Sequence, residues 1–114
     1  DEFVELLHFI FPSRKPVTVN TVEGLLCLAD RFSMQVVLYS CEEFLRGPDS
    51  EKIPLVKKLL WSGQYRLASL QSVCLNKLKS IDDVNLLKTK REYNDFSDKT
   101  KAALGERILE LTMN

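Results

Sequence analysis

The chain has 114 residues and carries sixteen basic and sixteen acidic side chains, so its formal net charge is zero. A neutral chain of this length fits one small domain and lacks the basic excess that broad electrostatic binding to nucleic acid or to an anionic membrane needs. No apolar run approaches the roughly 20 residues that cross a bilayer, and the acidic first residues do not form the basic start of a signal peptide.

The first predicted element is a helix with one apolar face. Its apolar positions recur at the i, i+3, i+4 spacing of a helix and are Phe3, Leu6, Leu7, Ile10 and Phe11. Pro12 ends this helix, because proline disfavours the helical conformation of the residue before it. We expect the chain to be a fragment whose first helix starts upstream. Residues 12–19 are predicted to form a loop with at most one short extended stretch.

Helical spacing of apolar residues continues along the rest of the chain. Asn20 with Glu23 resembles a capping pair for a second helix, and Ser33 is expected to cap a third, which ends at Gly47–Pro48. A fourth helix begins near Asp49 or Ser50, contains Pro54 in its first turn and ends at Gly63. A fifth spans about 65–78. Ser80 with Asp83 predicts the cap of a sixth helix, residues 93–96 form a bend, and Ser97 caps the last helix.

Short connections between these helices favour antiparallel neighbours. The predicted fold is therefore all-α, with about seven helices packed as successive antiparallel hairpins. Gly24 and Gly105 fall inside helices, where we expect close helix approach. The adjacent acids Glu42 and Glu43 are expected to lie on a solvated helix face, because neighbouring helical residues point about 100° apart.

The three cysteines, Cys27, Cys41 and Cys74, are far apart and lie in apolar helical patterns. This arrangement predicts buried, reduced thiols in a cytoplasmic or nuclear protein, with no disulfide frame.

Reactive motifs are missing from the sequence. His8 is the only histidine, no cysteine belongs to a CxxC pair, and the four glycines are too scattered for a phosphate-binding loop. We therefore predict no catalytic, cofactor-binding or metal-binding residue, and a protein-interaction role instead of an enzyme. Candidate exposed anchors for a partner are the aromatic residues Phe3, Phe11, Tyr39, Trp61, Tyr65 and Tyr93.

Three stretches in register resemble the BTB (POZ) domain. Phe3–Phe11 is similar to the F-x-E-L-L-x-F-I-Y helix of that family, and Val22–Met34 is similar to its LL-x-LAD helix. Cys41–Leu45 matches the C-E-x-F-L helix that closes the domain. Leu59–Leu75 resembles the helix pair called the 3-box, or BACK region, which follows BTB domains.

The resemblance implies a division at residue 47. Residues 1–47 would be the C-terminal half of a BTB domain, and residues 48–114 a 3-box or BACK-like extension. The arrangement is most similar to nematode-type MATH-BTB proteins, which are cullin-3 substrate adaptors. It departs from the family in that the first half of the BTB domain and a MATH or kelch segment are absent. Phe11 also stands where the family often has tyrosine, and residues 12–16 replace a common Thr-Gly turn.

By the same resemblance, the chain would bind the cullin-3 N-terminal region. The residues expected to contact that partner are Phe3, Glu5, Phe11, Ile53, Val56 and Leu60. Substrate would be captured by a domain that is not in this sequence, and homo-oligomers would form through the absent N-terminal half. The alternative is a BTB-type oligomerisation scaffold, or a transcriptional-regulator fragment, that recruits no cullin.

Overall fold

A computed structural model describes residues 17–113, which form six α-helices, two short 3₁₀ turns and no strand. The helices are α1 (Val22–Arg31), α2 (Gln35–Arg46), α3 (Leu55–Gln64), α4 (Ala68–Asn76), α5 (Ile81–Lys88) and α6 (Asp98–Met113). The 3₁₀ turns are Pro48–Ser50 and Arg91–Asp95. The predicted all-α class is confirmed. The predicted first helix, Phe3–Phe11, lies outside the described residues, as does His8.

Consecutive helices pack together as pairs, α1 with α2, α3 with α4, and α5 with α6. Contacts of α2 with α4 and of α3 with α6 join the pairs. One continuous apolar cluster runs through all of them, from Val22 in α1 to Leu104 in α6. The described chain is elongated, with principal extents of 50 × 25 × 23 Å. Its core is therefore a row of interhelical layers and not a compact ball.

The last two helices begin where the local sequence predicts. The backbone N–H of Asp83 donates to Ser80 Oγ, and the N–H of Ser80 donates to Asp83 Oδ2, each at 3.2 Å, which is a complete capping box. In α6 the N–H of Thr100 donates to Ser97 Oγ at 3.2 Å. These two predicted caps are confirmed.

The predicted caps of the earlier helices are wrong. Helix α1 is preceded by Thr21 and α2 by Met34, and neither residue makes a side-chain capping bond. Ser33 instead takes up a left-handed conformation with φ 55° in the turn between the two helices. Helix α3 begins only at Leu55, after Pro54, because the Pro48–Ser50 turn precedes it.

The close helix approach occurs at Gly63 and not at the two glycines predicted for it. Gly63 lies inside α3, which continues to Gln64, so this glycine does not end the helix. A Cβ atom at Gly63 would overlap Thr100 Oγ1 of α6. A Cβ atom at Gly24 or Gly105 would meet nothing within 4 Å. Only Gly63 therefore requires the absence of a side chain, and it lets α6 lie against α3.

Two apolar residues of α1, Cys27 and Leu28, are wholly or partly solvent-exposed. Cys27 is exposed, which corrects the expectation that all three thiols are buried, although Cys41 and Cys74 are buried and free. Leu28 is only partly buried. Both residues follow the fully buried Leu26, and the 100° step between helical residues turns them away from the core.

Candidate protein-docking surface

Side chains of helix α2 form hydrogen bonds with the first turn of helix α4. Helix α4 begins after Leu67, whose side chain cannot cap it, so its first N–H groups need another acceptor. Glu42 of α2 provides one, because its Oε2 accepts from the N–H of Leu70 at 2.9 Å. Arg46 Nη1 donates to Ser69 Oγ at 2.7 Å beside it. Glu42 thus caps a helix that begins more than twenty residues later in the chain.

This contact corrects the expectation that Glu42 and Glu43 form a solvated pair. Glu43 is exposed as predicted, whereas Glu42 is half-buried and bonded to Leu70. The sequence offered no sign of the difference, since both acids flank the same apolar face of α2. The N–H of Leu70 reaches Glu42 only because α4 packs against α2 in the folded chain.

An exposed apolar patch lies at the turn between α1 and α2. Phe32 is 52% exposed, and Val36 and Tyr39 are 78% and 60% exposed. Val36 and Tyr39 are three positions apart in α2 and so share one face of the helix. Exposed apolar side chains that share a helix face, as Val36 and Tyr39 do, are typical of a surface that another polypeptide covers. Of the aromatic anchors predicted within the described residues, Tyr39 is the one that is clearly exposed, because Trp61 is buried and Tyr65 and Tyr93 are partly buried.

The six residues predicted to contact a partner fall into two groups. Phe3, Glu5 and Phe11 lie outside the described residues. Ile53 and Val56 are each only 6% exposed and belong to the core, and Leu60 is partly buried.

Ile53, Val56 and Leu60 do not line one common groove. Ile53 lies beside Lys57 and Trp61 in a depression that also contacts the segment before α1. Leu60 borders a depression that contains Gln64 and Asp95. Val56 contributes to a third groove, described next.

The most apolar of these depressions lies between the start of α3 and helix α5, and we name it the α3–α5 groove. It has a volume of about 270 Å³. Its apolar lining is Leu55, Val56, Leu78, Leu86 and Leu87, and its charged edge is Lys77, Asp83 and Lys90. Of the residues that line this groove, only Val56 was among the predicted partner contacts. Leu86 is an apolar residue of α5 that is 61% exposed.

Positive charge gathers behind this groove. Lys58 of α3 is buried, at 3% exposure. Burial lowers the pKa of Lys58, and the charge of Lys77 lowers it further. Lys77 and Lys90 have no carboxylate of residues 17–113 within ion-pair distance, since the ion pair found there joins Arg107 to Glu110. The groove therefore combines an apolar floor with an edge that carries two lysines and one carboxylate, that of Asp83.

The two buried thiols are poor nucleophiles. Burial raises the pKa of Cys41 to about 11, and it raises the pKa of Cys74 to about 11 although Lys58 and Lys77 oppose that shift.

The described part of the chain holds no group of three or more His, Cys, Asp or Glu side chains placed to bind a metal ion. Among residues 17–113, no helix combines the length and the apolar character that crossing a membrane requires.

Comparison with known proteins gives a domain match and three curated relatives. Residues 1–48 match the family model of the BTB/POZ domain. BTB and MATH domain-containing protein 38 of Caenorhabditis elegans is 47% identical over 111 residues, which cover 97% of this chain and 28% of the relative. BTB and MATH domain-containing protein 36 of the same organism is 36% identical over 110 residues, 96% of this chain and 34% of the relative.

A third C. elegans relative, BTB and MATH domain-containing protein 15, is 28% identical over 80 residues, which cover 70% of this chain and 28% of the relative. The chain thus spans about three tenths of the length of the curated relatives it matches. No solved structure matches it significantly. The resemblance drawn from the three motifs is confirmed: residues 1–48 match the BTB/POZ domain, and nearly the whole chain is similar to BTB and MATH domain-containing proteins.

Proposed function

We propose that this chain is the docking module of a cullin-3 ubiquitin ligase substrate adaptor. In this proposal residues 1–47 supply the BTB part and residues 48–114 a 3-box or BACK-like extension, and together they bind the cullin N-terminal region. Substrate is captured by a domain outside this sequence, in the cytoplasm or the nucleus. The module itself positions a partner and performs no chemistry.

The observation that carries the proposal is the joint between the two parts. The segment that matches the BTB/POZ model is followed at once by helices that pack on its last helix, with Glu42 capping α4 and Arg46 bonded to Ser69. A polar joint of this kind holds the two parts in one orientation, which a binding surface that spans both of them requires. The exposed apolar patch at Phe32, Val36 and Tyr39 further supports a role in protein contact.

The proposed contact residues are those that the family resemblance indicates. Phe3, Glu5 and Phe11 are assigned to the BTB side of the surface. Ile53, Val56 and Leu60 are assigned to the extension, where each presents an edge to a different depression beside α3. Since Ile53 and Val56 are mainly core residues, we expect Leu60 to contribute more of the extension's contact than either of them.

The proposal is tested by titrating the cullin-3 N-terminal domain into the full-length protein that contains this chain, by isothermal titration calorimetry. The double variant Phe3→Ala/Glu5→Ala is expected to bind at least about tenfold more weakly, a loss of about 1.4 kcal/mol, with unchanged helix content by circular dichroism. Glu106→Ala, an exposed change in α6, is the matched control and should bind as the wild type does.

Wild-type protein that is folded and does not bind the cullin domain would refute the proposal. If that protein also self-associates in sedimentation equilibrium, the alternative role follows, namely a BTB-type scaffold or transcriptional-regulator fragment that recruits no cullin. Equal affinity of the double variant and the wild type would place the cullin contact elsewhere.

A further inference from the structure

We propose that the α3–α5 groove is a second docking site, which binds a short acidic amphipathic segment of a partner protein. Apolar side chains of that segment fill the floor, and its carboxylates pair with Lys77 and Lys90. The proposal goes beyond cullin recruitment: the groove shares only Val56 with the residues assigned to cullin-3, while Lys77, Lys90 and Leu86 lie outside that set.

The floor of the groove is built to receive an apolar side chain. Val56, Leu78 and Leu87 lie at its base, are 2–6% exposed, and are held in place by the core beneath them. A volume of about 270 Å³ gives room for a large aliphatic or aromatic side chain. A preformed apolar groove between helices is a common binding place for an amphipathic segment.

Leu86 forms an exposed wall of this groove. It lies in the middle of α5, flanked by the buried Val84 and Leu87, yet it is 61% exposed. Because more than half of the Leu86 side chain is exposed, a partner that covers it would remove apolar surface from water, which favours binding. It is therefore the side chain whose replacement should weaken binding most.

The charged side chains at the edge of the groove favour an occupant of one charge over the other. Lys77 and Lys90 are exposed cations without a carboxylate of the described residues within ion-pair distance. Asp83 is the acid of the groove, but its Oδ2 already accepts from the backbone N–H groups of Lys79 and Ser80. Two cations beside one carboxylate leave this edge with an excess of positive charge, which favours an occupant with acidic residues flanking its apolar ones.

The test uses the 114-residue chain and a short fluorescein-labelled peptide with two leucines four positions apart and glutamates on both sides, followed by fluorescence anisotropy. Leu86→Glu is expected to weaken binding at least about tenfold. The double variant Lys77→Glu/Lys90→Glu should likewise lose the acidic peptide, and should gain a matched peptide in which lysines replace the glutamates. Lys88→Glu, a charge reversal on α5 but outside the groove, is the control and should bind the acidic peptide nearly as the wild type does.

Several results would overturn the proposal. One is failure of the wild type to bind the acidic peptide, and another is binding that survives Leu86→Glu. A third is a charge-reversed variant that still prefers the acidic peptide. All substituted positions are exposed, so circular dichroism should show wild-type folding in each variant. Leu86→Glu should also retain the cullin-3 affinity of the wild type, and loss of that affinity in this variant would refute the claim that the groove is distinct from the cullin surface.

Discussion

The α1–α2 pair and the α5–α6 pair are held in place by different means. Neither α1 nor α2 has a side-chain cap, and the pair exposes Phe32, Val36 and Tyr39 to solvent. Helices α5 and α6 start with local caps from Ser80 and Ser97. The first pair therefore depends more on tertiary contacts and leaves apolar surface for another polypeptide, whereas the ends of the second pair are specified by neighbouring residues. The predictions below test this contrast, from the largest expected effect to the smallest.

The largest effect should come from truncating a core residue of the first pair, compared with an exposed residue of the second. Leu26 in α1 is fully buried, and Leu26→Ala should lower the free energy of unfolding by about 2–5 kcal/mol. Leu86→Ala, at an exposed position of α5, should change it by less than about 0.5 kcal/mol. Urea unfolding followed by circular dichroism measures both values. A near-zero loss for Leu26→Ala would contradict the assignment of the core face of α1.

Two glycines should respond to alanine with opposite signs. Gly63→Ala should lower the free energy of unfolding by about 1–3 kcal/mol, because the new methyl group overlaps Thr100 Oγ1. Gly105→Ala should raise it by about 0.5–1 kcal/mol, since that helical position has open space around it and alanine favours a helix. Thermal unfolding distinguishes the two.

The glycine prediction has an internal control. Adding Thr100→Ala to Gly63→Ala removes the overlapping hydroxyl and should recover part of the loss. Equal stabilisation by both glycine substitutions would show that α3 and α6 do not approach each other at this point.

Removal of the cap that α2 provides to α4 should weaken the contact between these two helices. Glu42→Ala should lower the free energy of unfolding by about 0.5–2 kcal/mol, as for other lost helix caps, because the N–H of Leu70 loses its acceptor. Its exposed neighbour is the control, and Glu43→Ala should have almost no effect. Hydrogen exchange at the Leu70 amide should accelerate in the first variant alone. Equal stability losses in the two variants would contradict the capping role.

The cysteines should differ in reactivity without a change in stability. In the native state at pH 8, a thiol reagent should modify Cys27, which is exposed, and should modify Cys41 and Cys74 only after unfolding. Burial raises the pKa of each of the latter thiols to about 11, so few are ionised at that pH. Mass spectrometry counts the modified sites. Rapid native modification of Cys41 or Cys74 would mean that the core opens locally.

Sequence reasoning placed the helices better than it placed the site. The helical class, the capping box at Ser80 and the cap at Ser97 followed from spacing and from local chemistry. The docking surface did not, because Ile53 and Val56 turned out to face mainly inward, while the exposed Leu86 was not among the predicted contact residues. A helical apolar stripe shows which residues share a face, but it does not show where the neighbouring helix stops covering that face.

The sequence by itself determined that residues 17–113 would be helical and that the chain would resemble the BTB family, because apolar periodicity and motif order are properties of the chain alone. The tertiary structure decided which acid of the Glu42–Glu43 pair caps another helix, which glycine allows two helices to touch, and which leucine lines a groove. Each of these depends on groups that are distant in sequence, such as Leu70 for Glu42 and Thr100 for Gly63. Only packing brings such groups together, so no local pattern could reveal them.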